Sequence, residues 1–174
     1  MTEARNEDDC VVMVMRGLLH ELANVATVLD GVRSTLDSDE AAPTLRPKED
    51  LAAATERIFR LHGELRSLLP DHEGPTALDP RAIAGDVARL MAWHVERPCL
   101  VAIEEGPVVP ILGEAWRLRR QLLAACDSAA AGAAAFRLTL RVAGEEMVVA
   151  GADGTVLWSA PTLAAARGRE RGGG

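Results

Sequence analysis

The chain has 174 residues, of which 48% are hydrophobic and 3% aromatic, and its formal net charge is −7. This length accommodates one domain of ordinary size or two small ones, and a core without tyrosine favours packed helices. The negative charge argues against a nucleic-acid or anionic-membrane surface, because such partners attract the opposite charge. Since neither a basic-then-apolar leader nor a run of 18 apolar residues occurs, we expect a cytoplasmic protein that contacts no membrane.

Two long amphipathic helices are predicted within residues 8–70. Apolar residues recur at alternating spacings of four and three at Val11, Met15, Leu18, Leu22, Val25, Leu29, Val32 and Leu36. After a connector over 37–50, the spacing returns at Leu51, Ala54, Ile58, Leu61, Leu65 and Leu68. This pattern predicts a helical hairpin. One apolar stripe per helix cannot enclose a core, so we expect a homodimer in which two hairpins form a four-helix bundle. The alternative is that the second half of the same chain covers the stripe.

The second half has the pattern of a small α/β layer. After a linker over 71–75, helical spacing predicts helices over Pro80–Glu96 and Ala115–Ala131. Strands are predicted over Cys99–Ile103, Phe136–Val142, Met147–Ala150 and Val156–Trp158. The predicted class is therefore α+β, with a hairpin at 8–70 and an α/β domain at 76–160. Residues 161–174 lack apolar side chains past Ala166 and are expected to be disordered.

The three cysteines carry no metal or disulfide pattern. Cys10, Cys99 and Cys126 are odd in number, far apart and outside any CxxC pair. We expect them to be small buried apolar side chains in a reducing compartment, without a metal site.

The candidate site is the stretch LLHELANVATVLDG, in which His20, Glu21 and Asn24 stand close together. If the apolar stripe faces a core, His20 projects to solvent, because successive helical residues rotate by about 100°. A neutral imidazole is a nucleophile near physiological pH, Glu21 could fix its tautomer, and Asn24 could orient a water. Zinc-protease chemistry is excluded because Asn24 stands where a second histidine would be needed. The alternative is a solvated surface histidine without a role.

The neighbours of His20 at helical spacing are mostly small. Arg16, Gly17, Ala23 and Thr27 lie three to seven residues away on the same helix. We expect these four residues to contact a large partner.

The motif His-Glu-Leu-Ala-Asn, preceded by two leucines and followed by the heptads, resembles the phosphoacceptor helix of two-component histidine kinases. The match covers Arg16–Leu36, and the next helix fits the dimerisation hairpin of that family. The resemblance implies that His20 is phosphorylated, that Glu21 is its general base, and that the pair Glu21 and Asn24 supports dephosphorylation of a receiver. Valine and alanine follow Asn24, where the family has a proline, so the family's helix kink is not expected here.

The second half resembles the family's ATPase domain more weakly. Val109–Ala131 is similar to the segment that carries Arg-Leu-x-Gln and then Asn-Ala, with Ser128 in place of the Mg²⁺-binding asparagine. The glycine-rich adenine motif is reduced to Gly151–Thr155, and no glycine-rich lid follows. The resemblance implies a degenerate Bergerat-like sandwich that cannot act as an autokinase. The alternative is an unrelated domain in which three arginines form a solvated helix face: Arg117, Arg119 and Arg120.

The resemblance as a whole implies a phosphorelay histidine phosphotransferase. His20 would accept a phosphoryl group from the receiver domain of a response regulator and pass it to another receiver, with Arg16 helping to hold the group. Expected partners are receiver domains, a second copy of the chain and, as a further candidate, a histidine kinase. No cofactor of its own is expected, since the receiver supplies Mg²⁺.

Three alternatives stay open at this point. The first is a non-catalytic, pseudokinase-like dimer that binds and regulates a kinase or a response regulator. The second is a receiver phosphatase, which would need Asn24 more than His20. The third is a plain coiled-coil adaptor, for which His20 would be dispensable.

Overall fold

The computed structural model describes residues 6–37, 46–70, 74–96, 99–104, 106–130 and 133–172. The helices are α1 (Glu7–Asp37), α2 (Pro47–Ser67), α3 (Pro80–Met91), α4 (Ala115–Ala130) and α5 (Leu163–Gly172). The strands are β1 (Thr76–Leu78), β2 (Leu100–Glu104), β3 (Ile111–Gly113), β4 (Ala135–Ala143), β5 (Glu146–Gly151) and β6 (Val156–Pro161). The predicted α+β class is confirmed. Most of the predicted connector, 38–45, and part of the linker, 71–73, lie outside the described residues.

Helices α1 and α2 pack along each other as an antiparallel hairpin. Three acidic residues in the first turn of α1 suit the positive end of the helix dipole, and Pro47 occupies the first turn of α2, where no amide donor is needed. The buried side chains of α1 are Cys10, Val11, Val14, Leu18, Glu21, Val25 and Val32. Those of α2 are Ala54, Leu61 and Glu64, and Leu68, directly after the helix, is buried as well. The four-helix bundle remains a prediction.

The predicted stripe of α1 is correct at Val11, Leu18, Val25 and Val32 but wrong at Leu22 and Leu36. Leu22 is 38% exposed, whereas its neighbour Glu21 is buried. The physical reason is that α1 packs against two elements, α2 and α4, so its buried face is shifted from the heptad seam. The alternative that the second half covers the hairpin therefore holds for part of α1.

The second half is built around a mixed four-stranded sheet of order β2-β4-β5-β6. β2 and β4 are parallel, and the other pairs are antiparallel. Helices α3 and α4 pack together, α3 contacts β2 and α4 contacts β6. This α/β unit buries Ile83, Val87, Leu90, Leu122, Leu123, Leu138, Leu140, Met147 and Val149. The small ribbon of β1 and β3 was not predicted, because three residues are too few to display a period.

The expectation of disorder over 161–174 is wrong for the described residues 161–172. β6 extends to Pro161, and α5 follows it to Gly172. The backbone amide of Ala165 donates to Thr162 Oγ1 at 3.2 Å, and that of Leu163 donates to the Pro110 carbonyl at 2.8 Å. Alanine and arginine have high helix propensity. The Thr162 cap and the backbone bond of Leu163 therefore suffice to start α5, although the helix has no long apolar stripe.

Charged side chains join the hairpin to the α/β unit. Arg89 Nε contacts Glu64 Oε1 at 3.1 Å, and Arg119 Nε donates to Asp86 Oδ2 at 2.5 Å. Arg119 also donates to the Ser67 carbonyl at 3.3 Å. Nearby, Arg120 pairs with Asp8 of α1. Of the three arginines proposed as a solvated face, only Arg117 is exposed, since the other two hold helices together.

Helix α1 is also long and apolar enough, by length and composition, to cross a membrane. No uninterrupted apolar run occurs in it, but an 18-residue window with at most two charged residues has a mean hydropathy of 1.3. Core helices of soluble proteins pass the same test. In this fold one face of α1 packs on α2 and α4.

Candidate functional site

His20 lies in the middle of α1 with its side chain exposed to solvent, on the side that the helical periodicity predicts. In the described part of the chain, no hydrogen bond or ion pair joins the imidazole to Glu21. An incoming group can therefore approach the exposed imidazole without breaking a contact to Glu21.

Glu21 lies on a different face of α1 and points toward α2. Its carboxylate pairs with the Arg57 guanidinium of α2 through Oε1, and Oε2 accepts a hydrogen bond from Asn24 Nδ2 at 3.1 Å. Residues one position apart are rotated by about 100° on a helix, so Glu21 is buried while His20 is exposed. The structure thus brings Glu21, Asn24 and Arg57 together and leaves His20 beside them.

Sequence reasoning missed Arg57. A carboxylate inside an apolar stripe is costly unless it is paired, so Glu21 itself was the available signal for a basic partner. The signal does not identify which arginine of the following helix supplies the charge, because that depends on how the two helices are aligned.

A cleft of about 420 Å³ runs between α1 and α2 at this point. Its lining includes Glu21, Asn24, Val25, Asp50, Ala54 and Arg57. The cleft therefore has apolar walls with two carboxylates, one amide and one guanidinium. Asn24 is exposed and lies at the cleft, within one turn of His20.

The predicted partner-contacting residues divide into two groups. Arg16, Ala23 and Thr27 are exposed and lie three, four or seven residues from His20, so they surround the imidazole on one surface. The Thr27 hydroxyl donates to the Ala23 carbonyl at 3.1 Å. Gly17, in contrast, is half-buried, and a Cβ atom there would lie 1.8 Å from the Trp93 carbonyl oxygen. The absence of a side chain at Gly17 is required for packing against the turn that follows α3.

The residues that the resemblance would assign to an ATPase site lie on separate elements. Ser128 is exposed at the end of α4. Asp153 accepts a hydrogen bond from the Thr155 amide at 3.0 Å and another from the Thr155 hydroxyl at 2.8 Å. These two bonds, the backbone one first, hold the pKa of Asp153 below its usual range. The Trp158 indole donates to Gln121 Oε1 at 3.5 Å, which joins β6 directly to α4.

All three cysteines are free thiols and buried, as expected. Burial, and to a smaller extent the proximity of Cys10 and Cys99, together raise the pKa of Cys126 to about 12. Cys126 is therefore a neutral thiol at physiological pH and a poor nucleophile. The Cys10 thiol also lies close to two polar side chains from other elements, His94 and Asp127. The spacing of these residues in the sequence does not predict that they meet.

Comparison with known proteins yields little similarity. No family model matches the chain, and no curated protein matches it. Among solved structures, the Acinetobacter baumannii histidine kinase AdeS is similar with a TM-score of 0.37 and 17% sequence identity. The similarity covers 76% of this chain and 71% of that chain.

Proposed function

We propose that this chain is a phosphorelay histidine phosphotransfer protein. It accepts a phosphoryl group on His20 from a receiver domain and passes the group to another receiver. The observation that carries the proposal is the exposed imidazole of His20 in the middle of a long helix, with Ala23 and Asn24 beside it and no bulky apolar side chain at those two positions.

The transfer would proceed by in-line displacement at phosphorus. A lone pair of the His20 imidazole forms the N–P bond while the P–O bond of the receiver's acyl phosphate breaks, and the aspartate leaves as a carboxylate. The proton on the second ring nitrogen is then lost to solvent, which the exposure of His20 allows. The receiver would supply Mg²⁺, whose positive charge would offset the negative charge of the phosphoryl oxygens. Arg16, one turn earlier and exposed, would contact those oxygens.

Glu21 has a positioning role in this scheme. To act as a base on His20, its carboxylate would first have to leave Arg57. As placed, it accepts a hydrogen bond from Asn24 and so fixes the amide beside the imidazole. We therefore assign Glu21 to holding Asn24 and α2 rather than to removing a proton.

The hairpin also supports the proposal of a homodimer. A second apolar stripe on α1 consists of exposed side chains and of the half-buried Met15 and Leu29, which also pack on the core; its positions are Val12, Met15, Leu19, Leu22, Leu29 and Leu36. Spacings of three, four and seven residues are typical of a coiled-coil seam. On α2 the corresponding positions are Leu51, Ile58, Leu65 and the adjoining Leu69. Two hairpins joined along these stripes would form the four-helix bundle.

The test uses receivers that carry radiolabelled phosphoryl groups, mixed with the purified chain. We expect acid-labile label to move onto the wild type and not onto His20→Ala. His62→Ala is the matched control, since His62 is another exposed histidine on the same hairpin and should leave transfer intact. Label on the His20→Ala variant would refute the assignment of His20.

A receiver phosphatase is the second candidate, favoured by the Asn24 amide that Glu21 fixes at an exposed position. Such an activity would release inorganic phosphate from the receiver, persist in His20→Ala and be lost in Asn24→Ala. Binding of a receiver with neither transfer nor release would leave a non-catalytic regulator, and no binding at all would favour an adaptor.

A further inference from the structure

Three side chains of different chemistry meet in the interior, away from the proposed phosphoryl site. Cys10 lies in the second turn of α1, His94 in the turn after α3, and Asp127 near the end of α4. One ligand atom of each lies within 4.8 Å of the other two. Their exposures are 0%, 1% and 1%. Three separate elements thus place sulfur, nitrogen and oxygen donors around one point.

The backbone and side-chain contacts hold these donors in place. The Cys10 thiol is directed at α4, with Sγ at 3.8 Å from the Leu123 carbonyl. The amides of His94 and Cys99 both donate to the Met91 carbonyl, at 3.3 and 3.2 Å, which fixes the turn that carries the imidazole. His94 Nε2 and Asp127 Oδ1 are 3.4 Å apart. Two ligands of one tetrahedral zinc ion are also separated by about 3.4 Å, given bonds of about 2.0 to 2.1 Å.

The donor set also balances the charge of a divalent ion. A thiolate and a carboxylate carry two negative charges, and a neutral imidazole adds none, so a bound dication makes the whole site neutral. A neutral site can be buried at a low free-energy cost, whereas a net charge in the protein interior is strongly disfavoured. Sulfur with imidazole selects a zinc-type ion over magnesium or calcium, which take oxygen ligands.

We propose that Cys10, His94 and Asp127 form a structural site for a zinc-type divalent ion. Binding releases the thiol proton of Cys10 to solvent and forms one bond to each side chain. The ion ties the start of α1 to α3 and α4 and so fixes the hairpin on the α/β unit. Gly17 of α1 packs against the backbone of Trp93, the residue before His94, so the turn that carries the imidazole is in direct contact with α1. The site is independent of the phosphoryl chemistry at His20.

Cobalt substitution of the full-length chain tests the site. After removal of metals with a chelator, Co²⁺ is added, and a thiolate-to-cobalt charge-transfer band with tetrahedral d–d bands is expected at one ion per chain. Zinc should displace the cobalt, raise the melting temperature and stay with the protein through gel filtration. If folded wild type gives no cobalt bands and retains no zinc, the proposal is wrong.

Matched variants locate the ligands. Cys10→Ala should abolish the charge-transfer band, whereas Cys99→Ala, which removes the same atoms from another buried thiol, should leave it. An unchanged band in folded Cys10→Ala would overturn the assignment. If Cys10→Ala does not fold, Asp127→Asn serves instead: it keeps the shape of the side chain and should weaken zinc binding at least about tenfold. Unaltered zinc affinity in Asp127→Asn would equally refute the site.

Discussion

The hairpin and the α/β unit differ in how many of their large apolar side chains are exposed to solvent. Of the eleven large apolar side chains that are exposed in the described residues, eight belong to the hairpin and its adjoining Leu69. In the described part of the α/β unit, the exposed large apolar side chains are Val95, Leu100 and Val156. The α/β unit thus encloses its own core, whereas the hairpin has one stripe that packs within this chain and a second one that is largely exposed. The proposed homodimer would cover this second stripe.

The largest effect should come from a charge on the exposed stripe. Leu19 is 52% exposed, so Leu19→Glu hardly touches the monomer core but introduces buried like charges into the proposed seam. We expect complete loss of the dimer in sedimentation or light-scattering measurements. Leu100→Glu is the control, since Leu100 is 73% exposed on the α/β unit and should leave the assembly unchanged. A Leu19→Glu chain that stays dimeric would place the interface elsewhere.

The contact of Gly17 with the turn after α3 should be the next most sensitive. In Gly17→Ala the new Cβ meets the Trp93 carbonyl, a backbone atom that cannot rotate away, so α1 must shift. We expect a loss of about 3 kcal/mol in the free energy of unfolding, measured with urea. Gly31→Ala is the opposite case on the same helix. Since nothing lies within 4 Å of the new Cβ, Gly31→Ala should raise the free energy of unfolding by about 0.5 to 1 kcal/mol. Equal effects of the two variants would show that α1 does not pack on this turn.

The interior of the α/β unit should respond to alkaline pH through Cys126. Its pKa is raised from 9.0 to about 12 in the folded chain, so above pH 9 the unfolded thiol loses its proton while the folded one keeps it. Stability from this group is complete below pH 9 and falls by about 1.4 kcal/mol per pH unit as pH rises toward 12. Urea unfolding at pH 8 to 10, in chelator, should show a shallower decline for Cys126→Ala than for wild type.

The smallest effect concerns the pair that joins α1 to α2. Arg57→Ala leaves the buried Glu21 carboxylate without its guanidinium. Because the Arg57 side chain is 53% exposed, solvent weakens the pair, and we expect a loss of only about 1 kcal/mol in unfolding free energy. A double-mutant cycle with Glu21→Gln isolates this coupling. If Glu21 positions Asn24 through this pair, phosphate release from receivers should fall as well, whereas a purely structural pair would leave it unaltered.

The difference between the two regions also explains what the sequence could predict. Long periodic segments were identified well, because burial of one helix face leaves a regular spacing of apolar residues, and α1, α2 and α4 follow it. The choice of face at Leu22 was wrong, since two apolar stripes overlap on α1 and only the position of α4 decides which one is buried. Contacts between elements, such as Arg57 with Glu21 or His94 with Cys10, leave no local pattern. The exposed position of His20 was predictable, because it depends on helical rotation alone.

The parallel pairing of β2 with β4 has a consequence for the order of folding. Its register joins Leu100 to Ala135, with β3 and all of α4 in the intervening segment. Closing so long a loop costs conformational entropy before any hydrogen bond between the strands is gained, whereas the β4–β5 and β5–β6 hairpins close locally. We expect β2 to join the sheet last, after α4 has packed. Mutations in β2 should accordingly speed unfolding while leaving the refolding rate nearly unchanged.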